Sequence, residues 1–466
     1  MLAATLATLF VVLAMLRPVD HDESQYVAAA MLTADGLLPY RDFAYLQTPL
    51  QPFAFAPIAW AAGGMVWPAL RIVNALCGAV AVIATVAAAL RAGGSWRASV
   101  AAGMLFACCD ILLFSIGTAR NDALPAALLA VALLIASRLG RHRRGEAMLI
   151  GALLGAATAA KVSYAFPALA YGAYALWHRD RTRAVWVMAG VVPVALFVGW
   201  TAMIAPHAFW FDVIRFPAIA PDQYYRADGR AWKLSATTKI VDIVKFLALG
   251  PALFALVRVG IGLRPRQAML VMILIIAGIA AALLPTPTWR QYLLPVLPPL
   301  FVGLALVWTA RAPGAPERIA VIIFAVAGLA PTIAAVASGG GMASAGREAA
   351  SVHRTLAKVG ARGPIATLSP QFVAGAGAAI DPRFATGPFY FRSSGLLSAA
   401  DERAMTLLSR DRLPVAALPP VILTGGEGKW TSGDDGLDRS LADRARFSGY
   451  RPIAIANTHF TLWTAR

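Results

Sequence analysis

The sequence predicts a polytopic α-helical membrane protein with a C-terminal α/β domain outside the bilayer, and three observations predict it. Hydrophobic residues make up 59% of the 466 residues and charged residues only 14%, against roughly a quarter charged in soluble domains. The apolar residues gather in runs near the length of about 20 needed to cross a hydrocarbon layer, and mean hydropathy is +0.66. After residue 340 the composition changes to dispersed charges, Pro and Gly.

Taken in order, the runs place spans near residues 2–16, 68–90, 98–116, 122–137, 147–160, 163–177, 184–204, 239–257, 267–284, 291–310 and 319–337. The first run lacks the basic leader of a signal peptide and is read as a retained span. Residues 53–66 are also apolar, but Pro52, Pro57, Gly63 and Gly64 interrupt them, so they read as an interfacial or re-entrant piece. Residues 147–177 could form one long helix. Both flanks are basic, however, which favours two crossings with their turn at "AAKVSYAF", around Lys161. Residues 1–340 are thus the membrane module, with outer loops 17–67 and 206–238.

Orientation follows from the short loops, where Lys and Arg accumulate on the cytoplasmic side. A cytoplasmic N-terminus puts inside Arg91 and Arg97; Arg138, Arg141, Arg143 and Arg144; Arg179, Arg181 and Arg183; Arg258, Arg264 and Arg266; and Arg311 and Arg318. These loops account for much of the formal net charge of +17. No basic patch with interleaved aromatics occurs elsewhere, which argues against a nucleic-acid partner. Cys77, Cys108 and Cys109 all lie inside apolar runs and read as packing residues. No internal repeat is visible.

"SGGGMASAG" reads as a linker into a soluble domain spanning 345–466, with strand-like "GPIATLS", "PVILTGG" and "RPIAIANT" and a helical "REAASVHRTLAKVG". The assumed topology puts this domain outside. It puts there too every unusual polar residue of the membrane module: Asp22 and Glu23, Arg41, "TARND" with Arg120 and Asp122, Lys161, the loop from Pro206 to Thr238, and "PTPTWRQY" with Arg290 and Tyr292. A lysine at the tip of two short helices suggests a polar cavity, since an ionisable group at membrane depth needs a partner or water.

These motifs resemble those of the GT-C membrane glycosyltransferases, particularly bacterial relatives of protein O-mannosyltransferases and of the lipid A aminoarabinose transferase. "DHDESQYVAAAMLTADGLLPYRDFAYLQTPL" is similar to their first outer loop, with an Asp-Glu pair opening a juxtamembrane helix. "ARNDALPAALLAVALL" resembles their second acidic motif, "GAATAAKVSYAFPAL" a span tip ending in lysine, and "WRQYLLPVLPPLFVGLAL" a late helix. The four occur in register over the whole membrane module. One departure stands in "LQTPLQPF": Gln47 and Thr48 occupy the place where the aminoarabinose transferases carry a lysine before proline.

The resemblance implies an inverting transfer of sugar from a polyprenyl phosphate to an acceptor hydroxyl of a lipid, glycan or protein. The site would lie at the outer, periplasmic face of the bacterial inner membrane. Such chemistry needs a carboxylate to take the hydroxyl proton and fixed cations to meet the departing phosphate. Asp22 is the candidate base, with Glu23 assisting or capping its helix. Asp122 would orient the acceptor or hold a cation. Lys161, then Arg290 and Arg41, would contact the donor phosphate; the contact of the absent lysine is either missing here or supplied by Arg41, and the donor sugar need not be the same. Tyr224, Tyr225, Trp232 and Tyr292 form a candidate substrate loop. No cofactor is expected, because no HExxH or paired-Cys pattern occurs; Asp20, Asp22 and Glu23 could together hold a divalent ion, as in the related oligosaccharyltransferases.

Plainer readings stand beside these. Asp22 with Gln25 fits a capping box, Asp122 before Pro125 fits a helix start, and Lys161 could snorkel to the interface. The aromatics Trp210, Phe211, Tyr224, Tyr225 and Trp232 fit headgroup anchors equally well. A polyprenyl-linked glycan transporter or flippase is the non-enzyme alternative. It should show repeat symmetry and mid-membrane charges. A ligase or polymerase using a diphosphate-linked glycan is the enzymatic neighbour.

Overall fold

The computed structural model describes residues 2–137, 143–177, 181–263, 265–428 and 435–465. The loop arginines Arg138, Arg141, Arg179 and Arg264 lie outside the described residues. Each apolar run forms helix: α1 (Leu2–Leu16), α4 (Val66–Arg91), α5 (Trp96–Ala107) with α6 (Asp110–Ile116), α7 (Ala123–Ala136), α8 (Arg144–Ala160), α9 (Ala165–Trp177), α10 (Arg181–Ile204), α13 (Ala236–Ala248) with α14 (Pro251–Gly262), α15 (Pro265–Leu283), α16 (Leu297–Ala310) and α17 (Ala315–Ala337). Among the described residues four helical stretches are long and apolar enough to cross a membrane, or six if each bent pair is one span; Leu2–Leu16, Ala123–Ala136 and Met269–Leu283 are shorter apolar helices. The chain is a multi-pass membrane protein.

The loops 17–67 and 206–238 are helical as well. The first carries α2 (Glu23–Ala34) and α3 (Leu50–Ala62), so residues 50–62 form a regular helix despite Pro57. The second carries α11 (Pro206–Trp210), a π-turn at Phe211–Arg215 and α12 (Phe216–Ala227). As the flanking charges predict, the helix breaks at Lys161, whose backbone is extended (φ −155°, ψ 119°).

Two apolar helix pairs are sharply bent, α5/α6 by 63° and α13/α14 by 96°. Open backbone at membrane depth is tolerated only where protein buries it. Here the two breaks face each other across Gly328 of α17: a Cβ at Gly328 would overlap the Cys108 carbonyl oxygen and come 2.9 Å from the Gly250 Cα. Small residues also seat α10 on α8, where a Cβ at Gly151 would overlap the Val187 carbonyl oxygen and one at Gly190 that of Met148. The α5/α6 break matters for the site, because it turns Asp110 and the following "TARND" segment inward.

Beyond α17 the glycines of "SGGG" are held close. The Val19 N–H donates to the Gly340 carbonyl at 3.2 Å, and a Cβ on Gly341 would come 2.6 Å from the Leu16 carbonyl oxygen. The next helix, α18 (Met342–Val359), leads to β1 (Ile365–Ala366), α19 (Pro370–Gly375), α20 (Phe389–Arg392), β2 (Val421–Thr424), β3 (Arg451–Ala454) and β4 (Thr461–Thr464). The sheet runs β1-β2-β4-β3, with β1 parallel to β2 and the other pairs antiparallel. Three of these strands match the sequence reading; β4 is added by its pairing to both β2 and β3. One buried apolar cluster joins Tyr26, Phe43 and Tyr45 of the first loop, Phe211 and Phe216 of the second, and Phe372, Tyr390 and Phe460 of the C-terminal region. The domain therefore packs on both loops through a shared core.

Candidate functional site

The site begins with α4. Its apolar face carries Arg71 and Asn74, one helical turn apart and fully buried. Arg71 Nη1 donates to the carbonyls of Ala14 and Arg17, both at 2.8 Å, and Nη2 to that of Pro18 at 3.1 Å, which caps the end of α1. Asn74 Nδ2 donates to the Thr118 and Arg120 carbonyls at 2.7 and 2.6 Å. Two residues of one helix thus fix both acidic segments, 17–23 and 117–122, side by side.

Glu23 locks that arrangement. Its carboxylate accepts from the Asp20 N–H, Trp67 Nε1, Arg71 Nε and the Ala119 N–H at 2.8 to 3.0 Å, and from Arg71 Nη2. It is fully buried with every lone pair engaged, and the structure gives it a structural role.

Asp22 and Asp122 sit at the helix starts, yet neither side chain caps its helix. Their carboxylates turn to Arg120 instead. This guanidinium pairs with Asp20 at 2.9 Å, with Asp22, and with Asp122 at 3.2 Å. Lys161 closes the cluster on Asp122 and lies 5.0 Å from the Tyr292 ring centroid. At 5% exposure Lys161 does not snorkel. Asp22 keeps 17% of its side chain exposed, against 1% for Asp122. Burial alone would raise the pKa of the Asp22 carboxyl, but Arg120, then His21 and Arg392, outweigh it and hold the group well below the usual range. His21, whose Nε2 lies 2.9 Å from Asp22, shows the converse: burial would lower its pKa, and Asp22 and Asp20 raise it.

Arg290 joins from the turn before α16. It pairs with Asp110 at 2.8 Å and stacks 4.0 Å from the Phe114 ring centroid. Tyr225 and Tyr292 are near enough to feel the charge on Asp22. Tyr224 meets the C-terminal domain through Arg392, 6.0 Å from its ring. Arg392 and Phe389 of α20, with Phe389 6.3 Å from the His21 ring, cover the cluster. A second contact fastens the cover: Asp212 in the π-turn accepts from the Tyr390 hydroxyl and, at 3.0 Å, from the Tyr45 N–H. Burial pushes the Asp212 carboxyl up to about 7, against the lowering by these two bonds.

Two expected residues are not drawn in. Arg41 is half exposed and pairs with its neighbour Asp42, so it does not replace the missing lysine. Trp232 is 61% exposed beside Lys233. Gln47, by contrast, reaches the cluster's edge, accepting from Asn121 Nδ2 at 3.1 Å. Sequence reasoning passed over Arg71, Asp110 and Arg17. The first two were the lone charges inside the runs 68–90 and 98–116, and an isolated charge in a span is itself a signal of a partner.

As a metal site the acidic segment offers Asp20, His21 and Asp22, whose donor atoms lie within 4.8 Å of one another. Glu23 is not among them, its carboxylate being spent on Arg71. Asp20 and Asp22 already share the buried Arg120, so a divalent ion would have to displace a fixed cation. A cleft of about 290 Å³ between α2 and α3, lined by residues such as Thr33, Leu38, Phe53 and Trp60, contains none of the clustered charges.

No protein-family model matches the chain, and no curated protein matches it. Solved structures do. ArnT from Cupriavidus metallidurans bound to undecaprenyl phosphate superposes with a TM-score of 0.63 at 16% identity, over 99% of this chain and 97% of that one. Its apo state gives 0.63 at 15% identity with the same coverage. The Archaeoglobus fulgidus oligosaccharyltransferase in complex with zinc and sulfate gives 0.51 at 15%, over 98% of this chain and 72% of that one. From end to end, the chain has the GT-C fold.

Proposed function

We propose that the chain is a membrane glycosyltransferase that moves a sugar from a polyprenyl-phosphate carrier to an acceptor hydroxyl at the outer face of the bacterial inner membrane. The observation that carries this reading is the convergence of Asp22, Asp122, Arg120 and Lys161 at the start of a juxtamembrane helix, with the Tyr292 ring against Lys161. The fold shared with ArnT, solved with undecaprenyl phosphate, supports the choice of carrier.

In this mechanism the acceptor oxygen attacks the anomeric carbon and the bond from that carbon to the phosphate oxygen breaks, with inversion. The hydroxyl proton passes to Asp22, and the polyprenyl phosphate leaves as an anion met by Lys161 and Arg290. A carboxylate held as low as Asp22 is a weak base, since efficient bases titrate near the working pH. Arg120 supplies the remedy. It is shared among three carboxylates, and an arriving phosphate competes for the same guanidinium, so donor binding frees Asp22 and restores its basicity. Asp122 keeps Lys161 and Arg120 in place.

Asp22→Asn keeps the size of the side chain and removes the base. With whichever undecaprenyl-phosphate sugar the wild type uses, turnover should fall by about 100-fold or more while thermal stability holds. Near-native turnover with chemistry rate-limiting would overturn the assignment and shift attention to Asp122. Orientation has its own check: a cysteine at Phe447, 87% exposed, should react with an impermeant thiol reagent from outside, and one at Gly145 should not.

A further inference from the structure

We propose that Arg17 is a donor-phosphate residue that forms, with Arg290, the two arms of an anion seat floored by the Phe114 ring. The inference rests on the glycosyltransferase reading and adds a residue to it. Among the described residues four Lys or Arg are buried: Arg17, Arg71, Arg120 and Lys161. Arg71 has Glu23, Arg120 has three aspartates, and Lys161 has Asp122. Arg17 has no carboxylate within 4.0 Å; its Nη1 donates to the Thr332 hydroxyl at 3.3 Å, and the guanidinium stands 4.9 Å from the Phe114 centroid. Asp110 and Asp20 act on it only from beyond ion-pair distance, and a buried cation whose direct contacts are a hydroxyl and a ring is costly unless an anion joins it.

The surroundings say where that anion goes. Arg290 sits 4.0 Å and Arg120 5.5 Å from the same centroid, so three guanidinium groups converge on one side chain. Burial, then the charge of Arg290, pushes Arg17 down to about 10, against the opposing pull of Asp110 and Asp20. Arg290 uses Nη1 on Asp110, and Nε and Nη2 of both Arg17 and Arg290 donate to no acceptor among the described residues. Four N–H-bearing atoms around one ring suit the oxygens of a phosphate. Glycine at 117 leaves room for the Arg17 stem, since a Cβ there would overlap its Cδ. Because Arg120 borders both the ring and Asp22, a phosphate seated here is the one placed to draw Arg120 off the carboxylate.

The test uses purified full-length protein in detergent and three probes: undecaprenyl phosphate, undecaprenol and inorganic phosphate. Wild type should bind undecaprenyl phosphate, Arg17→Gln should weaken that binding by about 10- to 100-fold, and undecaprenol binding should not change. Arg17→Lys keeps the charge but loses the fork, and should fall between. Equal affinity of wild type and Arg17→Gln for undecaprenyl phosphate overturns the assignment of Arg17 and leaves the glycosyltransferase reading intact. Failure of the wild type itself to bind the lipid phosphate overturns that reading instead. Inorganic phosphate binding as tightly as the lipid would overturn the lipid source. Should Arg17→Gln not fold, Arg17→Lys decides: an affinity equal to wild type overturns the proposal.

Discussion

Glu23 and Asp22 are adjacent carboxylates in opposite circumstances. Glu23 receives five donors and is fully buried, whereas Asp22 depends on a guanidinium shared with two other aspartates and on the half-exposed His21, and keeps an open edge. A buried charge whose every lone pair is engaged has nothing left to offer a substrate, and losing its partner is expensive. A carboxylate held by a shared cation can exchange that partner at modest cost. Residue type and position in the sequence alone would have scored the two alike; the difference lies in how completely each is satisfied.

The sharpest way to break this comparison is Glu23→Gln. It leaves Arg71 without its counter-charge and should cost about 3–5 kcal/mol, seen as a large drop in melting temperature in detergent. An unchanged melting temperature would remove the contrast with Asp22→Asn, which should spare stability. Next comes Lys161→Ala, for which we expect donor use to weaken by about tenfold or more. Arg290→Ala should do less, since Arg290 is more exposed than Lys161. If donor kinetics are unaffected by Lys161→Ala, the lysine serves only to balance Asp122.

Asp212 extends the comparison to the cover. Its folded pKa of about 7 exceeds the unfolded value of about 4, so the folded state holds the proton more tightly. Stability should be fullest below pH about 4 and decline as pH rises toward about 7. Melting temperature measured across this window should fall for the wild type and fall less for Asp212→Asn. Some slope should remain from Asp438, also raised to about 7 by burial. A slope identical in both proteins would show that Asp212 does not sense pH in the docked cover. The smallest effect belongs to Arg41→Ala. Its pair with Asp42 is exposed, so the melting temperature should not change measurably and donor use should match the wild type; a clear loss of donor affinity would bring Arg41 back into the site.

The sequence by itself determined the helices, because a membrane span is a local matter of apolar length, and each of the eleven runs is helical in the structure. It also located the break at Lys161, since basic flanks on both sides of 147–177 left only that turn. Four motifs far apart in the chain pointed to Asp22, Asp122, Lys161 and Arg290. Which atoms meet was decided only by tertiary structure. Local pattern made Asp22 and Asp122 look like helix caps, worth about 1 kcal/mol. Charge-assisted bonds to Arg120 and Lys161 are stronger and took both carboxylates away from their helix ends. Arg71 finds Glu23 from 48 positions away, and Arg290 finds Asp110 from 180. Nothing in the spacing of residues encodes such partners; they exist because two bent helix pairs and a turn pinned by Asn74 bring distant segments into one poorly solvated place where an unpaired charge is costly.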